Sequence, residues 1–144
     1  MANKLDKVFS NASNLQILFE DNHIIIINKR VGDIVQGDKT GDTPLSDVVK
    51  AYIKDKYNKP GNVYLGVTHR IDRPTTGIVV FAKTSKALSR LNTLFAEKNI
   101  QKIYWAVVKN KPEKEDKKDA RGEKVDSRRN YRLDKIKALT AKAT

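Results

Sequence analysis

Four consecutive isoleucines, residues 24–27, constrain the fold of this chain more than any other feature. β-Branched side chains favour an extended backbone, and a strand points successive side chains to opposite faces of a sheet. A run without polar alternation therefore predicts a strand buried on both faces. Residues 15–20 predict a second strand, and Asp21-Asn22 between the two segments predicts a tight turn, so that they form a hairpin.

Three more strands are predicted downstream, at residues 63–67, 78–82 and 101–108. One helix is predicted between the hairpin and the first of these strands, and another between the second and the third. The first helix is predicted to follow Thr43-Pro44, with Thr43 as its cap, and the second to have Thr84 or Ser85 as its cap. Their apolar side chains recur at helical spacing: Leu45, Val48, Val49, Tyr52 and Ile53 in the first, and Ala87, Leu88, Leu91, Leu94 and Phe95 in the second. This order of elements predicts an α+β domain with a mixed, mainly antiparallel sheet and two helices.

Changes in composition divide the chain into three parts. Residues 1–14 are polar and predict a loose N-terminal arm, and residues 15–110 hold the strands and helices named above. Residues 111–144 are a charged C-terminal segment. Because residues 110–130 lack apolar periodicity, they cannot bury a core of their own, and we expect weak order there.

Composition also excludes several kinds of site. The chain has no cysteine and only two histidines, which excludes disulfides and thiolate sites and makes a histidine metal site improbable. No apolar run reaches the roughly 18 residues that a membrane span needs, and a cytoplasmic location is expected. The net charge of +12 favours a phosphate-rich partner, the alternative being a basic protein without such a partner.

One carboxylate stands out, that of Asp72 in the polar stretch between two predicted strands. His69, Arg70 and Arg73 surround it in sequence. A carboxylate beside two guanidinium groups stays ionised and can act as a nucleophile or stabilise positive charge. On local physics alone, a surface ion pair that fixes a turn is the more common explanation. A lone histidine in such a position is more often a hydrogen-bonded structural residue than an acid–base group.

Three segments around this residue resemble one known family. His-Arg-Ile-Asp at residues 69–72, followed by Arg-Pro-Thr-Thr-Gly and an apolar strand, closely resembles the sequence around the catalytic aspartate of the RluA-like pseudouridine synthases. Residues 18–29 are similar to the opening hairpin of that family. Residues 101–108 are similar to its second motif, Lys-x-Tyr-x-Ala. The resemblance covers about residues 15–110.

This resemblance implies isomerisation of uridine to pseudouridine in structured RNA, either rRNA or tRNA, by a monomer without cofactor or metal. Asp72 takes the place of the catalytic aspartate, as nucleophile or as base. Arg70 is expected to fill the space that a flipped uridine leaves in the RNA. Tyr104 is expected to lie against the flipped uracil, and Arg73 and Lys102 to contact RNA.

The family pattern also includes a third motif, around Gly-Arg-x-His-Gln-Ile-Arg, whose basic residue pairs with the catalytic aspartate. The sequence after residue 110 contains no such motif. Three functions therefore stay open: an active synthase, a catalytically impaired fragment or remnant that only binds RNA, and a basic interaction module without a role on RNA.

Overall fold

A computed structural model of the chain describes residues 8–105, 107 and 109, which fall into two compact units, residues 1–100 and 101–144. The described part of the first unit contains four strands and two helices. In chain order these are β1 (Ile17–Glu20), β2 (Ile24–Lys29), α1 (Leu45–Lys56), β3 (Gly66–Val67), β4 (Gly77–Ala82) and α2 (Ser85–Ala96). Every pair of neighbouring strands among them is antiparallel, which confirms an α+β domain.

The strands form one sheet in the order β1-β2-β4-β3. The predicted hairpin of β1 and β2 is confirmed, and Asp21 closes its turn by accepting hydrogen bonds from the amides of His23 and Ile24, both at 2.7 Å. The central pair is β2 with β4, whose register runs from Ile24 opposite Ala82 to Lys29 opposite Gly77. The end of β2 is thereby fixed beside the start of β4.

The core lies on one face of this sheet. Its fully buried side chains come from β2, β4 and α1: Ile25, Ile27, Val79, Phe81, Leu45, Val49 and Ile53. The prediction that the isoleucine strand is buried on both faces was wrong in part, because Ile24 and Ile26 are only half-buried and Ile78 is 60% exposed. An apolar run shows that a strand can be covered on both sides, whereas the helices that cover it are set by tertiary packing.

The two helices begin in different ways. Thr84 caps α2 as predicted, its side-chain oxygen accepting the amide of Ala87 at 3.1 Å. The predicted Thr43 cap was wrong: the residue before α1 is Pro44, and no side chain caps this helix. Backbone carbonyls replace the cap, since the amides of Leu45 and Ser46 donate to residues 34 and 35 at 2.7 and 3.1 Å. Backbone acceptors satisfy the free amides of a first turn as a side-chain cap does.

The strand predicted at residues 63–67 is shorter in the structure, where only Gly66 and Val67 pair with β4. A side chain at Gly66 would clash with α2, since a Cβ atom there would lie 2.8 Å from Cδ1 of Leu88. The core face predicted for α2 is also less covered than expected. Ala87 is buried, three of the other four positions are half-buried, and Leu94 is exposed.

The second unit is described at residues 101–105, 107 and 109, and none of these positions is in a strand. The strand predicted at residues 101–108 was therefore wrong at these positions. Ile103, Trp105 and Val107 are exposed, Trp105 at 91%. A strand persists only where a neighbour pairs with its backbone, and these residues have no strand partner in the described part of the chain. The predictions for residues 1–7 and 110–144 lie outside the described residues.

Two searches of the described residues gave negative results. None of the described helices is long and apolar enough to cross a membrane. Among residues 8–105, 107 and 109, no three His, Cys, Asp or Glu side chains are grouped so that they could hold a metal ion.

Candidate active site around Asp72

Asp72 lies in the connection between β3 and β4, residues 68–76, which we call the Asp72 loop. His69 anchors its first half to the sheet. The Nε2 atom of His69 accepts the amide of Val80 at 3.0 Å, and its ring stacks on Phe95 with centroids 4.8 Å apart. A ring nitrogen that accepts a hydrogen bond carries no proton. The described contacts of His69 hold the loop against β4 and α2, which is the kind of structural role that the sequence predicts.

A tight turn presents Asp72 itself. Its carbonyl accepts the amide of Thr75 at 2.9 Å, which closes the turn over Pro74. The side chains of Arg70 and Asp72 are both exposed. The loop therefore offers a carboxylate to solvent with a guanidinium group two residues away, an arrangement that an incoming ligand can reach.

The second half of the loop rests on a buried lysine. Lys29, the last residue of β2, is 1% exposed. Its Nζ atom donates to three carbonyl oxygens, those of Arg30 at 3.0 Å, Arg73 at 3.0 Å and Thr75 at 2.8 Å. The amide of Gly32 donates to the same Arg73 carbonyl at 2.9 Å. The backbone that directly follows Asp72 is thus fixed by hydrogen bonds from the buried Lys29 and from the amide of Gly32.

Burial perturbs this lysine. Loss of solvation lowers the pKa of Lys29 to about 8 from 10.5, against the attraction of Asp33 and Asp72, while the charge of Arg73 adds to the lowering. Asp33 is itself buried and accepts two hydrogen bonds from Ser10, from the amide at 3.0 Å and from the hydroxyl at 2.6 Å. The described part of the N-terminal arm is therefore tied to the same end of the sheet.

The side chain of Arg73 contacts residues 36–42, which we call the 36–42 loop. Its guanidinium group donates to Asp42 at 2.8 Å, to the hydroxyl of Thr40 at 3.1 Å, to the carbonyl of Gly32 at 3.3 Å and to Asp38 at 3.4 Å. The hydrogen bond to Asp42 is the main reason why the pKa of Arg73 is raised. The group that the sequence assigns to RNA thus joins two loops of the protein.

The structure brings only some of the predicted site residues together. Asp72, Arg70 and Arg73 share one loop of the first unit. Lys102 and Tyr104 belong to the second unit, where Lys102 is exposed and Tyr104 half-buried. Their predicted roles rest on the motif alone.

Sequence reasoning missed Lys29. A signal for it was present, because the inward positions of β2 are Ile25, Ile27 and then Lys29, which the alternation of a strand points to the same face. A lysine at the inward position of a core strand needs acceptors, and in the structure backbone carbonyls supply them, two of which belong to the Asp72 loop.

A second polar cluster lies at the other end of β4. There Glu20 accepts hydrogen bonds from Lys56 at 2.8 Å, Lys83 at 2.9 Å, Tyr57 at 2.7 Å and Tyr52 at 2.9 Å. Burial alone would raise the pKa of Glu20, but these donors lower it to about 2. The cluster joins β1 to α1 and to the residue after β4, and its donors are engaged within the protein.

Comparison with known proteins identifies the family. A family model described as RNA pseudouridylate synthase matches residues 23–143, beyond the segment that the motifs cover. An uncharacterised RNA pseudouridine synthase of Synechocystis is 38% identical over 109 residues, 75% of this chain and 33% of that protein. A second relative, the ribosomal large subunit pseudouridine synthase C of Vibrio vulnificus, is 36% identical over 107 residues, 73% of this chain and 31% of its own length.

A solved structure agrees with these relatives. The human protein RNA pseudouridylate synthase domain containing 4 superposes with a TM-score of 0.50 at 27% identity, covering 58% of this chain and 30% of that chain. The chain spans about a third of the length of the curated relatives it matches. Because the family model covers most of the sequence, the chain belongs to the RNA pseudouridylate synthase family, as its RluA-like motifs predict.

Proposed function

We propose that this chain isomerises uridine to pseudouridine in RNA, with Asp72 as its catalytic residue. One observation carries the proposal beyond family membership: an exposed carboxylate stands on a turn whose backbone is fixed by the buried Lys29. A catalytic group must be reachable by the substrate and yet held in place.

The reaction contains steps that a carboxylate can carry out. The bond from N1 of uracil to C1′ of the sugar breaks, the base turns, and C5 bonds to C1′; the proton leaving C5 is balanced by one gained at N1. Attack on the sugar carbon and removal of a proton from the sugar both need a carboxylate that the substrate can reach. The exposed side chain of Asp72 offers one at the loop surface. No redox partner is needed, because the product is an isomer of the substrate.

The substrate has to leave its helix to reach such a group, because the target atoms of a stacked base are covered. Arg70 is the neighbouring cation with an exposed side chain. We propose that it occupies the space that the flipped uridine leaves, since a guanidinium group can stack on bases and bind phosphate. Tyr104 against the uracil and Lys102 on a phosphate stay predictions from the motif.

RNA binding follows from charge. The chain has 29 basic and 17 acidic residues, so contacts to phosphates are expected to supply most of the affinity. Six of the curated relatives are named ribosomal large subunit pseudouridine synthase C or D, which favours ribosomal RNA over transfer RNA as the substrate.

A second candidate function is RNA binding without turnover. It is favoured by the net charge of +12, because attraction to phosphates needs no catalytic step. Incubation of the chain with unmodified ribosomal RNA, followed by quantification of pseudouridine by mass spectrometry, distinguishes the two. Pseudouridine that accumulates at a defined position with many turnovers per protein supports the synthase. Saturable RNA binding without any pseudouridine identifies the chain as a binding remnant.

A further inference from the structure

We propose that Lys29 is a positioning residue for Asp72, its buried ammonium group fixing the backbone of the Asp72 loop. The inference rests on the proposed function in one respect only, in that it treats Asp72 as the catalytic residue. The role of Lys29 toward the loop backbone is independent of the reaction and can be measured without it.

The hydrogen bonds of Lys29 are the first argument. An ammonium group has three N–H donors, and each has a carbonyl acceptor within 3.0 Å. Two of those carbonyls, of Arg73 and Thr75, belong to the loop, and the third, of Arg30, belongs to the chain leaving β2. The lysine therefore ties the end of a core strand to the segment that follows Asp72.

Burial is the second argument. Removing a charged amine from water is costly, and an apolar side chain of similar length would fill the same space without that cost. At 1% exposure the ammonium group is out of reach of solvent and of any RNA phosphate. All three of its hydrogen-bond acceptors are backbone carbonyl oxygens, so its contacts fix the position of the backbone.

The position of those carbonyls relative to Asp72 is the third argument. The turn that carries Asp72 closes with the amide of Thr75, and the carbonyl of the same residue is held by Lys29 at 2.8 Å. The carbonyl of the residue directly after Asp72 is held twice, by Lys29 and by the amide of Gly32. A displacement of about 1 Å at a catalytic group can cost roughly 100-fold in rate, so such fixation matters for turnover.

Amide hydrogen exchange of the full chain tests the proposal directly. In Lys29→Met, the amides of Thr75 and Gly32 should exchange at least about tenfold faster than in the unmodified chain, because the carbonyls that anchor their segment lose their donors. The amides of Leu45 and Ala87, which are bonded elsewhere in the fold, serve as references and should change by less than about twofold. Unchanged exchange at Thr75 and Gly32, or equal acceleration at all four amides, would overturn the proposal.

Lys83→Met is the matched control. Lys83 is also a largely buried lysine, but its Nζ atom donates to Glu20 at 2.9 Å and to the carbonyl of Asp21 at 2.7 Å, at the other end of β4. Its replacement should leave the amides of Thr75 and Gly32 as they are. Acceleration there in Lys83→Met, equal to that in Lys29→Met, would show a general effect of losing a buried charge and would contradict the positioning role.

A measurement on the unmodified chain covers the case in which Lys29→Met does not fold. Ammonium protons held by three acceptors exchange slowly with water, so a ¹H–¹⁵N spectrum of the lysine side chains should show a persistent signal for Lys29 near neutral pH. Solvent-exposed lysines such as Lys54 and Lys59 should give none under the same conditions. Rapid exchange of the Lys29 ammonium protons would overturn the proposal without any variant.

A measurement of turnover tests whether Lys29 acts on the reaction through Asp72. If the chain forms pseudouridine, Lys29→Met should lower kcat by at least about tenfold and leave KM within a few-fold, because the substrate contacts stay while the carboxylate is displaced. A loss confined to KM would contradict positioning. If Asp72→Asn keeps full turnover while the amides respond as described, the proposed function fails and the role of Lys29 in ordering the loop stands.

Discussion

The Nζ atom of Lys29 lies 3.0 Å from the carbonyl oxygen of Arg73, so the last residue of a core strand holds the backbone next to Asp72. This contact joins the interior of the sheet to the candidate active site. It also places a titratable cation where water does not reach, which makes the stability of the fold depend on pH.

The first prediction concerns stability at alkaline pH. Burial lowers the pKa of Lys29 to about 8, whereas in the unfolded chain it returns to 10.5. Between these values the unfolded chain binds a proton that the folded chain has released, so the free energy of unfolding should rise with pH across this window. The cost of the buried cation is fully present below pH 8 and is relieved by roughly 1 to 3 kcal/mol as pH rises.

Urea unfolding of the unmodified chain and of Lys29→Met, at pH values across that window, measures this effect. As pH rises, the free energy of unfolding of the unmodified chain should increase relative to that of Lys29→Met. Comparison of the pair removes the opposite contribution of Lys56, whose pKa is raised mainly by its hydrogen bond to Glu20. A difference that does not change with pH would contradict the burial of a titrating Lys29.

The second prediction concerns stability in acid. The pKa of Glu20 is lowered from 4.5 to about 2 by its lysine and tyrosine donors, which outweigh the effect of burial. The contribution of ionised Glu20 to the free energy of unfolding is therefore fully present above pH 4.5 and is lost as pH falls toward 2. Glu20→Gln should lower the free energy of unfolding by roughly 2 to 3 kcal/mol at neutral pH and by much less near pH 2. Asp47→Asn, which removes only an exposed ion pair at 3.7 Å, is the control and should change stability by less than about 1 kcal/mol.

The third prediction is that Arg73 and Lys102 contribute differently to the salt dependence of RNA affinity. The guanidinium group of Arg73 would have to release Asp42 and Asp38 before it could bind a phosphate. Arg73→Ala should therefore leave the salt dependence of RNA affinity nearly unchanged, while Lys102→Ala lowers the slope by about one unit. Affinity titrations at several salt concentrations measure both slopes. A slope lowered as much in Arg73→Ala as in Lys102→Ala would assign Arg73 to the RNA, as the sequence alone suggests.

The fourth prediction concerns Arg70. If its guanidinium group fills the gap left by a flipped uridine, Arg70→Ala should lower turnover at least about tenfold and change RNA affinity by only a few-fold. Arg90→Ala, which removes an exposed arginine of α2, is the control and should leave turnover as it is. Turnover of Arg70→Ala equal to that of the unmodified chain would remove this role.

Much of the fold was predictable because its signals are local. The isoleucine run and residues 78–82 are apolar and rich in β-branched side chains, and they form the central strand pair β2 and β4. Thr84 caps its helix as a local rule predicts. The start of α1 was mispredicted because its amides are satisfied by residues 34 and 35, a contact between segments that no local pattern records.

The candidate site was predictable only as a motif. Asp72 and Arg70 lie on one exposed loop, and the motif predicts that loop. The partners of that loop could not be predicted, because Lys29 lies 43 positions before Asp72 and Asp42 lies 30 positions before it. Such contacts form through the register of β2 with β4 and the path of the 36–42 loop, and both are set by packing of the whole domain.

The fifth prediction tests the central claim, that Asp72 carries the reaction. Pseudouridine formed in unmodified ribosomal RNA should be measured by mass spectrometry for the unmodified chain, Asp72→Asn and the control Asp47→Asn. Asp72→Asn keeps the shape of an exposed side chain, so RNA affinity should stay within a few-fold while pseudouridine formation is abolished; Asp47→Asn should retain both. Pseudouridine formation by Asp72→Asn at a rate near that of the unmodified chain would contradict the assignment.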